Sequence, residues 1–161
     1  MKTITILNLI ILITINKIIA CECNFNRTLR QIDSISYETS EIVILGRISK
    51  INQSQYSITV TKILKGPNIA NSITGIYDKI YGESNSCSFY PKYEGEYLLY
   101  LDETISGKNN KYYYSSQCTG NRSINLSDCL YCEFETPQNE TIKYTKNWIN
   151  KLDEMRQHQK K

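Results

Sequence analysis

Several segments between residues 41 and 117 alternate with period two, the period of a strand with one buried face. Residues 41–51 (EIVILGRISKI) form a β-branched run interrupted at Gly46, where a strand is expected to bend or bulge. Residues 56–64 place Tyr56, Ile58, Val60 and Leu64 on one face and Ser57, Thr59 and Thr61 on the other. Lys65-Gly66-Pro67 then supplies the turn chemistry that ends the run. Residues 72–80, 95–102 (GEYLLYLD) and 111–117 (KYYYSSQ) predict three more strands. The connection 103–110, with Ser106-Gly107 and Asn109-Asn110, reads as a hairpin loop.

Near the two ends the period changes. Residues 26–35 predict a short helix. Residues 141–157 set Tyr144, Trp148, Leu152 and Met155 at spacings of four, four and three, with Ile149 beside them, an amphipathic stripe suited to packing on a sheet. No repeat, low-complexity tract or linker divides residues 21–161, which are read as one domain. Five strands with flanking helices predict a mainly β fold: a five-stranded OB-type barrel with a short N-terminal helix and an amphipathic C-terminal helix.

The first twenty residues follow another pattern. Lys2, an apolar run from Ile4 to Ile15 and the small residue Ala20 predict a secretory signal peptide over 1–20, interrupted by Asn16 and Lys17 before it reaches membrane-spanning length. No later segment is apolar enough to span a bilayer. Removing Lys2 and Lys17 with the leader leaves 17 basic residues against 16 acidic, a balance that gives no reason to expect nucleic acid or an anionic membrane as partner. All six cysteines (Cys21, Cys23, Cys87, Cys118, Cys129 and Cys132) lie after the leader, and an even count in a secreted chain predicts disulfides. Sequons start at Asn26, Asn52, Asn121, Asn125 and Asn139, which suggests surface positions for them.

Composition argues against an enzyme and against a cofactor. The only histidine, His158, stands in a polar C-terminal tail, so neither a Ser–His nor a Cys–His nucleophile system is expected. The same shortage argues against a zinc site of the chain's own, since the remaining soft ligands are cysteines expected to be oxidised. Cys129-Leu130-Tyr131-Cys132 has dithiol oxidoreductase spacing but lacks the βαβ setting of that chemistry, and a local structural disulfide is preferred.

The pair Cys21-Glu22-Cys23 carries more information. Cysteines one residue apart seldom bond to each other, because an extended backbone holds their Cα atoms near the limit for bridging. Each therefore reaches into the body of the fold. With Cys129 and Cys132 paired locally, Cys21 and Cys23 join Cys87 and Cys118 in one order or the other. Either order pins the first residues of the mature chain, which ordinarily fray.

Along the mature chain a Cys-x-Cys terminus is followed by Ile63-Leu64-Lys65-Gly66-Pro67 at a strand end, Cys87 after a polar loop, Glu96-Tyr97-Leu98 in the next strand, and Cys118. On these features residues 21–120, roughly, resemble the N-terminal inhibitory domain of the tissue inhibitors of metalloproteinases, within the netrin-like group of OB folds. The resemblance implies the pairings Cys21–Cys87 and Cys23–Cys118. It also implies a secreted inhibitor whose partner is a zinc metalloprotease, with an inhibitory edge of Cys21, Glu22, Cys23, Ser86 and Cys87. Cys21 would ligate the target's zinc through its amine and carbonyl, and Glu22 would enter the specificity pocket. Glu22 stands where the family has a small residue, and no cysteine lies between 23 and 87 to supply the family's third bridge.

A second reading keeps the scaffold without the inhibition: a netrin-like binding or structural module. Ile18-Ile19-Ala20-Cys21 loosely resembles a bacterial lipobox. In that version Cys21 is acylated, and the protein is a periplasmic or membrane-anchored lipoprotein rather than a free secreted one.

Overall fold

A computed structural model of the protein describes residues 27–77, 88–105, 111–125 and 138–159. The predicted leader, the Cys21–Cys23 terminus, Ser86, Cys87, Cys129 and Cys132 lie outside these residues.

The chain enters through a helix, α1, at Leu29–Thr39. Thr28 caps it: its hydroxyl accepts the Gln31 N–H while the Gln31 side chain accepts the Thr28 N–H, a reciprocal capping box. That signal, Thr28-x-x-Gln31, places the helix start three residues later than the expected 26, and the helix runs four residues beyond the expected 35. Its last carbonyls are met by Lys65, whose ammonium donates to the carbonyl oxygens of Tyr37, Glu38 and Ser40. A cation at a helix C-terminus also faces the negative end of the helix dipole.

Five strands follow: β1 Ile42–Ser49, β2 Gln55–Lys65, β3 Ser72–Ile76, β4 Gly95–Ile105 and β5 Lys111–Tyr114. Their order is β1-β2-β3-β5-β4, and β4 returns to pair with β1, so the sheet closes into a five-stranded barrel. All neighbours run antiparallel except β3 and β5, which meet in parallel at Gly75 and Tyr113. This closed mixed barrel is the OB-type architecture. A two-residue strand, β6 (Arg122–Ser123), pairs with β4 on the edge that β5 leaves open. A long helix, α2 (Gln138–Gln159), lies against the barrel.

Several limits differ from the periodic reading. β4 continues to Ile105 because its last four residues pair with β5, so the expected loop begins later than 103. β5 stops at Tyr114 rather than 117, because Ser115 to Gly120 turn back on themselves: Thr119 N–H donates to the Ser116 carbonyl and Cys118 N–H to the Ser116 hydroxyl. The paired β3 ends at Ile76 rather than 80, with Tyr77 as its last described neighbour.

The barrel has two apolar layers. Ile42, Ile44, Ile48, Tyr56, Ile58, Ile73, Tyr97, Leu99, Leu101 and Tyr113 fill the interior. Val43, Leu64, Leu98 and Tyr100 face outward and are covered by Trp148 and Leu152 of α2. Strict alternation would put Leu64 inside with Tyr56 and Ile58. The structure puts it outside, because a bulge at Thr61 shifts the phase by one residue, so Ile63 takes the inward place opposite Ile44, and Leu64 is itself the extra residue of a second bulge. Across Val43/Ile44 the partner steps from Lys65 to Ile63, and across Leu45/Gly46 from Lys62 to Val60, leaving Leu64 and Thr61 as the extra residues. Thr61 donates its hydroxyl to the Leu45 carbonyl at 3.0 Å, satisfying an acceptor beside the bulge. Gly66 has φ of +93°, and a Cβ there would lie 2.6 Å from the Glu41 carbonyl oxygen, so only glycine lets this turn close against the start of β1.

Candidate functional site

Cys118 is the one predicted site residue that the structure describes. It sits in the loop between β5 and β6 and is disulfide-bonded.

Two chain segments converge on this loop. Ser88, the residue after Cys87, forms an antiparallel bridge with Ser116, and Phe89 N–H donates to the Ser115 carbonyl at 2.8 Å. The Phe89 ring anchors the segment by entering the barrel, edge-on to Tyr97 with centroids 6.0 Å apart. The second segment is α1, whose Ser36 hydroxyl accepts the Gly120 N–H at 3.0 Å. The flank of Cys87, the neighbourhood of Cys118 and the helix that follows Cys23 thus meet in one place.

The loop is held by side chains that periodicity did not single out. Asn121 is buried, with its Oδ1 accepting the Tyr100 N–H at 2.7 Å and its Nδ2 donating to the Ser115 hydroxyl at 2.6 Å. Its sequon is therefore closed in the folded protein, contrary to the surface position expected for it. Asn52, Asn125 and Asn139 are exposed. The sequon at Asn26 lies outside the described residues.

Beneath the loop lies a buried ion pair. Asp33 of α1 receives two hydrogen bonds from Arg122, at 2.7 Å to Oδ1 and 2.8 Å to Oδ2, with both side chains 1 % exposed or less. Arg122 Nε donates to the Thr145 hydroxyl on α2 at 2.7 Å, and its Nη1 also reaches the Gly120 carbonyl at 2.6 Å. Tyr100 donates its hydroxyl to Asp33 at 2.8 Å and accepts the Trp148 indole N–H at 2.7 Å. One network thus ties α1, β4, β6 and α2 together. A Cβ at Gly120 would collide with Asp33 Oδ1, so glycine is what lets the backbone approach the carboxylate.

Burial and then the Asp33 charge push the Tyr100 phenol well above its ordinary value, and burial does the same for Tyr56 in the barrel interior. Desolvation pulls the Arg122 guanidinium down, but the charge and hydrogen bonds of Asp33 outweigh it and hold Arg122 above its usual value. Sequence reasoning missed Asp33, Ser36, Asn121 and Arg122. The available signal was Asp33 and Ser36 standing on the same buried face of α1 as Ile32.

His158 is exposed near the end of α2. Among the described residues no group of three or more His, Cys, Asp or Glu is placed to hold a metal ion, and no helix is long and apolar enough to cross a membrane. Two open grooves flank α2. One of about 370 Å³ lies between β2 and the C-terminal half of the helix, and one of about 240 Å³ is lined by Arg30, Tyr144, Asn147, Trp148 and Lys151. No protein-family model and no curated protein matches the chain. The fold and the site together define an OB-type barrel whose β5–β6 loop gathers the flank of Cys87, the neighbourhood of Cys118 and the helix that follows Cys23.

Proposed function

We propose that the mature, secreted chain inhibits a zinc metalloprotease through a terminus that begins at Cys21. The observation that carries this reading is the bridge between Ser88 and Ser116, with α1 docked on the same loop through Ser36. A Cys-x-Cys terminus can be pinned at both cysteines only if its two partners lie side by side. Ser88 adjoins Cys87 in the chain, and Ser116 is two residues from Cys118.

The lengths agree. Seven residues of α1 from Ser36 back to Leu29 span about 10 Å. The six residues from Leu29 back to Cys23 reach at most about 20 Å when extended, enough to return to the Cys118 loop. Pairing Cys21 with Cys87 and Cys23 with Cys118 would fix the terminus against the barrel and remove most of the ordering cost of binding.

The chemistry follows from the terminus. A free α-amine has a pKa near 8 and gives up its proton readily to a metal. Together with the carbonyl oxygen of the same residue it forms a five-membered chelate. Placed on the open coordination position of a protease's catalytic zinc, that chelate displaces the attacking water. Glu22 would then enter the substrate pocket, where a carboxylate without a partner costs about 1–3 kcal/mol.

The experiment is inhibition of a panel of zinc proteases by three forms: mature protein, mature protein extended by one residue ahead of Cys21, and Glu22→Thr. The mature form should inhibit at least one protease. The extension converts the amine to an amide and should abolish inhibition without changing the fold. Glu22→Thr should tighten binding about tenfold, the equivalent of about 1.4 kcal/mol. If all three forms are inert, inhibition is excluded and a non-inhibitory binding module takes its place.

A further inference from the structure

The zinc-chelating reading, on which this inference rests, leaves an area to be accounted for. A protease–inhibitor interface covers about 800 Å² on each partner, a patch of roughly 16 Å radius, and a two-residue terminus fills little of it. The segment Ser88–Tyr93 leads directly away from Cys87. Tyr90 is three residues from Cys87 and so lies within about 10 Å of it.

That segment holds two of the three exposed large hydrophobic side chains among the described residues: Tyr90 at 50 % and Tyr93 at 55 %. The Tyr90 ring and the backbone at Tyr93 are both anchored. The Tyr90 ring stacks on Tyr77 at 4.5 Å and 18°, and Tyr77 in turn packs against the fully buried Tyr56 at 5.3 Å. Phe89 and Pro91 on either side of Tyr90 are buried. The Tyr93 carbonyl accepts the Tyr97 hydroxyl at 3.0 Å, and Glu94 accepts the Lys50 N–H at 2.8 Å, which ties the far end of the segment to the end of β1. Tyrosine combines a large apolar face, a polar tip and few rotors, which is why it is enriched at interface anchor positions. A tyrosine already ordered before binding loses still less entropy.

We propose that Tyr90 and Tyr93 form a second contact element of the inhibitory edge. They would dock on the protein surface of the target protease beside its zinc cleft, against an apolar recess that offers backbone acceptors for the two phenol hydroxyls. The chelate supplies the bond to the metal, and the tyrosines supply buried area and choice of target.

The test compares wild type, Tyr90→Ala, Tyr93→Ala and the double variant, all with the native Cys21 amine, against the protease that wild type inhibits best. Association and dissociation rates are measured together with the melting temperature and the sedimentation coefficient. The double variant should dissociate about 10- to 100-fold faster, with association changed less than about threefold, as expected where preformed contacts set residence time. If Tyr90→Ala disturbs folding through the Tyr77 stack, Tyr93→Ala alone carries the comparison. A double variant that inhibits as well as an active wild type overturns this contact and leaves chelation standing. A wild type inert on every protease overturns both. A wild-type dimer that the double variant converts to monomer assigns the patch to self-association and overturns the proposal.

Discussion

The inside of the barrel and the layer between barrel and helices are both buried, but they are built on different rules. The interior is apolar side chains from five strands, and its tyrosines enter mainly as rings: the Tyr56 hydroxyl is buried without a hydrogen-bond partner. The outer layer surrounds a charged pair and a chain of hydrogen bonds running from Asp33 and Arg122 through Tyr100 to Trp148 and, on another branch, to Thr145. Apolar contacts are non-directional, so the interior tolerates any arrangement that fills its volume. A buried polar group accepts only a partner at the right distance and angle. The outer layer is therefore where the position of α1 is specified.

The sharpest way to break this contrast is to remove one half of the ion pair. Asp33→Ala leaves Arg122 charged and buried without compensation and should cost about 3–5 kcal/mol in urea unfolding. Asp33→Leu combined with Arg122→Met replaces both charges by apolar groups and should recover most of that loss. Full recovery of stability together with loss of protection in α1 by hydrogen exchange would show that the pair serves position more than stability.

Trp148→Ala should cost about 3–5 kcal/mol, from the lost packing of α2 and the lost donor to Tyr100. A variant that melts with wild type would mean that α2 contributes nothing to the barrel. Trp148→Phe keeps most of the packing and loses the donor, so the difference between the two variants measures the polar part.

The smallest effects make the most direct comparison, because the same substitution should have different outcomes in the two layers. Tyr100→Phe removes a hydroxyl that bonds both Asp33 and Trp148 and should cost about 1–3 kcal/mol. Tyr56→Phe removes a hydroxyl without a partner and should be neutral or slightly stabilising. Both phenols are held above their ordinary value in the folded protein, so the folded state keeps protons that the unfolded chain releases near pH 10. This contribution is complete below about pH 10 and is lost as the pH rises past it. Stability should fall in alkali, and each Tyr→Phe change should make that fall shallower.

Much of the architecture was legible because it is written locally. The strand period depends only on the pleat, so Ile42, Ile44 and Ile48, or Tyr97, Leu99 and Leu101, announce a shared face without knowledge of their partners. The helix start is present as Thr28-x-x-Gln31, a capping signal that the expected span of 26–35 does not use. The Lys65-Gly66-Pro67 signal was read as a turn, but its lysine also closes the end of α1.

The sequence by itself determined the class of fold, the five strands and the apolar stripe of α2, because periodicity and turn chemistry act between near neighbours. Tertiary structure alone decided the rest. The bulges that send Leu64 outward appear only in the register of β2 against β1, and β6 is two residues with no period of its own. Asp33 finds Arg122 89 residues away, and Asn121 is buried through contacts with Tyr100 and Ser115 rather than by any quality of its sequon. A buried polar side chain is satisfied by whichever groups the closed barrel brings within about 3 Å. That closure is a property of the whole chain, and no window of neighbouring residues contains it.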